Sequence, residues 1–315
     1  VGIDVSDKDA VFISPHKFLG GPGTPGLLVV RRSLLHNQIP ALPGGGTVSF
    51  VAPDFHHYLE DCEHREEGGT PGIVEAIRTG LVFKLQAEIG TEVIEQREKE
   101  LVGRALQRWN ANSHLKILGN PDLPRLSIVS FQVLHGEEQL HYAFVVALLN
   151  DLFGIQARGG CSCAGPYGHE LLGIDKQHSH RLDEEVSRGN AVLRPGWVRL
   201  NFNYFIEDGT FEYLLRAVEL IAEHGWKLLP EYCYDTSSGT WVHKGERLPL
   251  PVTLDSFDAA TVQHEELEST SESLQHHLHE ALAVFEAASG QHGGSVLELD
   301  DEAESLRWFY LPKAG

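Results

Sequence analysis

A chain of 315 residues is long enough for one large domain or two ordinary ones, and 42% hydrophobic with 22% charged side chains is a globular composition that excludes a wholly disordered polypeptide. Lys plus Arg is 25 against 45 Asp plus Glu, a formal net charge of −20 that repels phosphate backbones and argues against nucleic-acid binding. No apolar run approaches the ~20 residues that cross a bilayer, and the N-terminus lacks a basic-then-apolar signal pattern. Four irregularly spaced cysteines, Cys62, Cys161, Cys163 and Cys233, do not make a disulfide framework, so a reducing cytoplasm is the simpler location.

In chain order, residues 10–14 (AVFIS) and 27–31 (LLVVR) read as two short buried strands around a glycine-rich loop. PALPGGGTVSFV (40–51) is a turn running into a strand, followed by a polar, His-rich stretch over 56–72. Ile73, Ile77, Leu81, Leu85 and Ile89 then repeat every four residues, the strongest helical signal in the chain, with Thr70-Pro71 as cap and first-turn proline. A second helical segment spans Val93 to Trp109.

Beyond it a smaller α/β unit is expected: a strand over 125–134, a helix over 140–154 ended by Gly154, a short strand and glycine-cysteine turn over 155–163, an alternating half-buried strand over 197–205, and an amphipathic helix over 210–225 stopped by Gly225. Residues 231–260 are turn-rich, 261–288 a polar His-studded helix, 289–304 acidic and small, and LRWFYLP (306–312) an apolar patch expected to dock on the body. The domains predicted are 1–92, 93–230 and an accessory acidic tail, 231–315. With no methionine, and an opening (VGIDVSDKDAVFIS) inside a strand-and-turn pattern, the chain reads as the C-terminal portion of something longer.

The chemistry centres on FISPHKFLGGPGTPGLLVV (12–30). Lys17 sits where an apolar strand meets a glycine loop, which offers partial burial and backbone N–H groups that can face an anion, with Ser14 and His16 beside it. That combination suits a phosphorylated carbonyl cofactor held by the amine; a solvated rim lysine is the alternative. No Lys-Ser or Lys-Thr pair follows the glycines, so this is not a nucleotide P-loop.

S-x-H-K followed by GGPGTPG resembles the Schiff-base lysine segment of the class V aminotransferase family, which includes cysteine desulfurases and selenocysteine lyases. GGTPG (68–72) resembles the family's Gly-Thr-Pro segment, ARGGCSCAGP (157–166) its Arg-x-Gly-x-x-Cys-Ala-x-Pro loop, and WVRLNFNYF (197–205) its carboxylate-binding strand. The resemblance covers roughly residues 1–230 and implies an α/β fold: the remainder of a fold-type-I large domain, a linking helix and a small C-terminal α/β domain. It implies pyridoxal 5′-phosphate (PLP) on Lys17, phosphate contacts from Ser14, His16 and, across a homodimer boundary, Thr70, substrate carboxylate binding by Arg199, and Arg158 beside a sulfur-accepting Cys163. Cysteine desulfuration with a sulfur-acceptor protein is the activity implied; a class V transaminase or lyase without persulfide chemistry, or a non-catalytic scaffold, is the alternative.

The family's aspartate for the pyridine nitrogen lies further upstream than the residues before Lys17 allow, so this chain alone is expected to bind PLP poorly. GGCSC also carries an extra thiol, Cys161. Cys161 and Cys163 with His169 and His178 or His180 form the alternative of a metal site. Thr70 as a helix cap alone, Arg158 and Arg199 as plain ion-pair residues, and HHLH (276–279) as a solvated helix face are the other structural readings.

Overall fold

The computed structural model describes residues 6–120, 122–161, 164–245, 271–288 and 297–312. The chain divides into two compact units, Val1–Gln96 and Arg97–Gly315.

In the first unit β1 (Ala10–Ile13) and β2 (Leu27–Val30) pair antiparallel, as do β3 (Val48–Val51) and β4 (His56–Tyr58). A short helix, α1 (Cys62–Glu66), is capped by the Asp61 carboxylate, which accepts from the Glu63 and His64 amides. The long helix α2 (Ile73–Ile89) follows, and α3 (Thr91–Asn110) begins immediately after it.

Two expectations are corrected here. The first strands are not buried: Phe12 is 82% exposed and Leu28 54%, because a two-stranded ribbon covers neither of its own faces. In α2 the four-residue stripe Ile73, Ile77, Leu81 and Leu85 faces outward, while Thr79 and Val82 on the other side are buried. That inner side grips the glycine loop. Phe83 meets Phe18 edge-on at 5.4 Å, and Arg78 Nη1 donates to the Pro22 carbonyl at 2.9 Å.

The second unit holds the core. β5 (Leu115–Ile117), β6 (Ile128–His135), β7 (Glu138–Gln139), β8 (Arg158–Gly160) and β9 (Trp197–Asn201) form one antiparallel sheet in the order β5-β6-β9-β8, with β7 paired to β6. Along β6, Val129, Phe131 and Val133 point into the core, which includes Phe144 and Leu148 of α4 (Tyr142–Phe153) and Leu215 and Val218 of α7 (Asp208–His224). The strand's two-residue period leaves Ser130, Gln132 and Leu134 on the opposite face. Gly154 ends α4 in the left-handed region at φ 62°, as its position in the sequence requires. Gly225 instead stays right-handed and the chain continues as a 3-10 turn to Glu231.

An ion-pair ladder joins α3 to α7. Arg97 and Arg104 reach Asp208 at 3.0 and 2.9 Å, Arg104 and Arg108 reach Glu212 at 2.6 and 2.7 Å, and Arg108 forks onto the buried Glu219. Between β8 and β9 lie two helices that the sequence reading passed over, α5 (Gly165–Leu172) and α6 (Lys176–Ser187). Their polar composition gave no clear stripe.

The end of the chain belongs to this unit. β10 (Tyr232–Asp235) and β11 (Thr240–His243) form a hairpin within the stretch read as turns. α8 (Ser271–Ala287) buries Leu278, Ala281 and Phe285, and α9 (Asp301–Ser305) leads into Leu306 and Phe309, both buried. The Tyr310 amide donates to the Gln139 carbonyl at 2.8 Å and Trp308 Nε1 to that of Leu193 at 2.9 Å, so the 306–312 patch docks as expected. Residues 246–270 and 289–296, which complete the turn-rich, helical and acidic stretches of the reading, lie outside the described residues.

Candidate active site

In the first unit, Pro15–Lys17 is a single 3-10 turn placed between β1 and the glycine loop. Proline at its start sets φ, and the Lys17 and Phe18 amides donate to the Ser14 and Pro15 carbonyls at 3.1 and 2.9 Å. Gly21 closes the turn from below: a Cβ there would lie 2.0 Å from the Pro15 carbonyl oxygen, so no other residue fits. Lys17 and His16 are exposed and Ser14 half-buried. Among the described residues none of the three side chains has a hydrogen-bond or ion-pair partner. The Thr24 hydroxyl, at the far end of the loop, is buried without a partner among the described residues.

Thr70 sits on a segment held backbone to backbone against the other glycine turn. The Gly69 amide donates to the Gly45 carbonyl at 2.8 Å, and a Cβ on Gly68 would lie 2.9 Å from the Leu42 oxygen. Thr70 is exposed and does not cap α2, whose N-cap is Gly72 with no side-chain bond. The reading of this threonine as a helix cap is therefore set aside.

In the second unit, Arg158 and Arg199 are direct register partners on β8 and β9, and Ser130 is the partner of Arg199 on the other side. Arg199 is half-buried, and its Nε is buried with no hydrogen-bond partner, so the plain ion-pair reading of Arg199 has no carboxylate among the described residues. Arg158 is exposed at the sheet edge.

The turn beyond β8 is built on close backbone approach. A Cβ on Gly159 would lie 2.6 Å from the Tyr142 ring, and one on Gly196 would lie 2.5 Å from the Gly160 Cα. Tyr142 and Gly196 are positioning residues that sequence reasoning missed; the paired glycines at 159–160 and Pro195-Gly196 were the available signal. Burial pushes the Tyr142 hydroxyl up to about 12, so it stays protonated.

Cys161 donates its thiol to the Pro195 carbonyl at 2.9 Å, and burial raises its pKa. It is a protonated anchor for the loop rather than a nucleophile. Cys163, the residue aligned with the family's reactive cysteine, lies outside the described residues, as does Ser162. His169 is tied to the Gly165 carbonyl at 2.8 Å and the Ser179 hydroxyl at 3.0 Å. No cluster of three or more metal-ligating side chains occurs among the described residues. The HHLH histidines His276 and His277 pair with Glu280 on an exposed face of α8.

The donor set fits PLP: an uncommitted amine, hydroxyl and imidazole on one rigid turn suit a phosphorylated aldehyde, and the orphaned Arg199 Nε suits a substrate carboxylate. Fold and motifs together define a fold-type-I α/β chain. The aminotransferase class-V family model matches residues 1–182, and the chain belongs to that family.

A probable cysteine desulfurase from Staphylococcus epidermidis (strain ATCC 12228 / FDA PCI 1200) is 32% identical over 170 residues, which are 53% of this chain and 39% of that protein. One from Staphylococcus aureus (strain N315) is 30% identical over 168 residues, 52% of this chain and 38% of that protein. Among solved structures, the apo cysteine desulfurase from Thermococcus onnurineus NA1 aligns with a TM-score of 0.54 and 29% identity, covering 68% of this chain and 47% of that one. The cysteine desulfurase CsdA of Escherichia coli aligns with a TM-score of 0.54 at 23% identity, covering 68% and 46%, a likeness of fold. The chain thus spans about two fifths of the length of the curated relatives it matches. Among the described residues no helix is long and apolar enough to cross a membrane.

Proposed function

We propose that this chain carries the lysine, carboxylate-binding and sulfur-accepting parts of a PLP-dependent enzyme that removes sulfur from cysteine. The observation that carries the reading is the half-buried Arg199 guanidinium, its Nε without a partner, on the strand where the family resemblance puts the substrate carboxylate. A buried donor left unpaired costs stability unless a ligand completes it.

Lys17 would hold the cofactor by its amine, with Ser14 and His16 on the phosphoryl oxygens. The cofactor, when bound, supplies an electron sink for bonds broken at the substrate α-carbon. Arg199 fixes the substrate by a bidentate bond to its carboxylate, and Arg158 adds a second positive charge beside it. Lys17 would also move protons at the substrate carbons. The Cys163 thiolate attacks the substrate sulfur; an S–S bond forms, the Cβ–S bond breaks, and Cβ takes a proton, giving alanine and a cysteine persulfide on the protein. Cys161, held protonated, keeps the loop in place. A homodimer in which Thr70 reaches the partner's cofactor phosphate, and a protein that accepts the persulfide sulfur, complete the proposal.

The test uses the native polypeptide that carries this chain. Supplied with cysteine and PLP, it should release alanine, and Cys163→Ala should abolish that release while Lys17→Ala abolishes every turnover. Retained turnover of another amino acid by Cys163→Ala would instead assign a class V transaminase or lyase reaction.

A further inference from the structure

Two features frame the turn that runs from β8 toward Cys163. One is the ring of Tyr142, the first residue of α4: a Cβ on Gly159 would lie 2.6 Å from one of its edges, and a Cβ on Gly196 would lie 2.8 Å from the other. The second is the 3-10 turn Ala191–Leu193 with the Arg194-Pro195-Gly196 stretch after it, where the Pro195 carbonyl accepts the Cys161 thiol. Where the Tyr142 ring and residues 191–196 stand therefore fixes where the turn stands.

Trp308 touches both. Its indole stacks on Tyr142 with ring centroids 6.0 Å apart and planes 8° apart, and on His141 at 5.2 Å. Its Nε1 donates to the Leu193 carbonyl at 2.9 Å, and His141 Nε2 makes a parallel tie to the Val192 carbonyl at 2.9 Å. The docking of the C-terminal segment itself is carried by its neighbours. Leu306 and Phe309 are buried, and the Tyr310 amide bonds the Gln139 carbonyl, whereas Trp308 is only half-buried. The contacts of Trp308 run to the turn.

We infer that Trp308 is a positioning residue for the arginine-cysteine turn, so that a segment beyond the family match sets where Arg158 and Cys163 stand. The role of Cys163 in this rests on the desulfurase reading; the brace rests on packing alone. A stacked ring fixes the plane of its neighbour as well as its place, which an aliphatic side chain does not. Without the stack Tyr142 is free to tip away from Gly159. β8, an edge strand bonded only to β9, then loses the support beneath it.

The test is the rate at which iodoacetamide alkylates Cys161 in the native polypeptide that carries this chain, read by mass spectrometry. Trp308→Leu keeps apolar bulk but removes the ring and its N–H, and should speed alkylation about tenfold. Trp308→Phe restores a stacking ring and should bring the rate back to within about threefold of the native value. Tyr310→Leu is the control, since it removes a ring from the same segment on the side that meets His135 at 4.4 Å. It should leave the rate within about twofold, even where its melting temperature falls as far as that of Trp308→Leu. Alanine release from cysteine should follow the same order, slowest in Trp308→Leu. The thiol readout needs no turnover, so it decides the inference by itself, and a native polypeptide that releases no alanine overturns only the desulfurase reading. Equal acceleration in Trp308→Leu and Tyr310→Leu, or none in Trp308→Leu, overturns the inference.

Discussion

Arg158 on β8 and Arg199 on β9 stand directly opposite one another in the sheet register, two cations on adjacent strands. The Nε of Arg199, buried with no hydrogen-bond partner among the described residues, costs the sheet stability. An anion bound at Arg199 removes that penalty.

A dicarboxylate or sulfate should therefore raise the melting temperature of the chain in a saturable way, and Arg199→Gln should abolish the rise. In the native polypeptide, Arg199→Lys should raise KM for the amino acid by about 10²-fold, since a lysine cannot reproduce the fork. An unchanged KM would remove Arg199 from the carboxylate site.

Cys161 gives a second prediction. Its pKa is raised by burial and its thiol is bonded to Pro195. Alkylation of Cys161 by iodoacetamide should be slow at neutral pH and should keep accelerating above the ordinary thiol range, read by mass spectrometry of its peptide. Rapid labelling at neutral pH would make it a reactive thiol after all.

The buried His141 sets an acid limit for the second unit. Its Nε2 donates to the Val192 carbonyl, its Nδ1 accepts from the Ala143 amide, and desolvation pushes its pKa down to about 3. Unfolded, the ring titrates at the ordinary imidazole value of 6.5. Between those values the unfolded state binds a proton that the folded state refuses, so stability falls as pH drops from 6.5 toward 3, by up to about 1.4 kcal/mol per pH unit. Urea midpoints measured across that range should follow this slope, and His141→Gln should flatten it.

The α3–α7 ladder gives a contrast of magnitudes. Glu219 is 7% exposed, and Arg108→Ala would leave it only the longer Arg216 contact at 3.3 Å, at a cost of about 1–3 kcal/mol. The exposed Lys84–Glu88 pair on α2 is worth only about 0.3–0.5 kcal/mol. Denaturant melts of Arg108→Ala and Lys84→Ala should separate the two; similar losses would mean that Glu219 is hydrated.

Gly21→Ala tests the lysine turn itself. The added methyl must displace the Pro15 carbonyl, so the turn should open and trypsin should cut after Lys17 about tenfold faster.

Much of this was legible in the sequence. The long helices α2 and α3, the β6 strand, the Gly154 stop and the docking of 306–312 all follow from periodicity and punctuation. Family motifs put Lys17 on its turn and Arg199 on a strand. Periodicity, however, does not say which side of a helix finds a partner: α2 shows its best apolar stripe to solvent and packs through Thr79, Val82 and Phe83. α5 and α6 were missed because polar helices between motif loops carry little stripe. The positioning roles of Tyr142 and Gly196 depend on close contacts between distant segments, which no local pattern records.

Phe309, with none of its surface exposed, ties the last described residues of the polypeptide to the interior of the second unit. It lies outside the matched family region, yet it plugs the same interior as Phe131 and Phe144. A premature stop codon even a few positions before it would open that interior to solvent and destabilise the whole second unit.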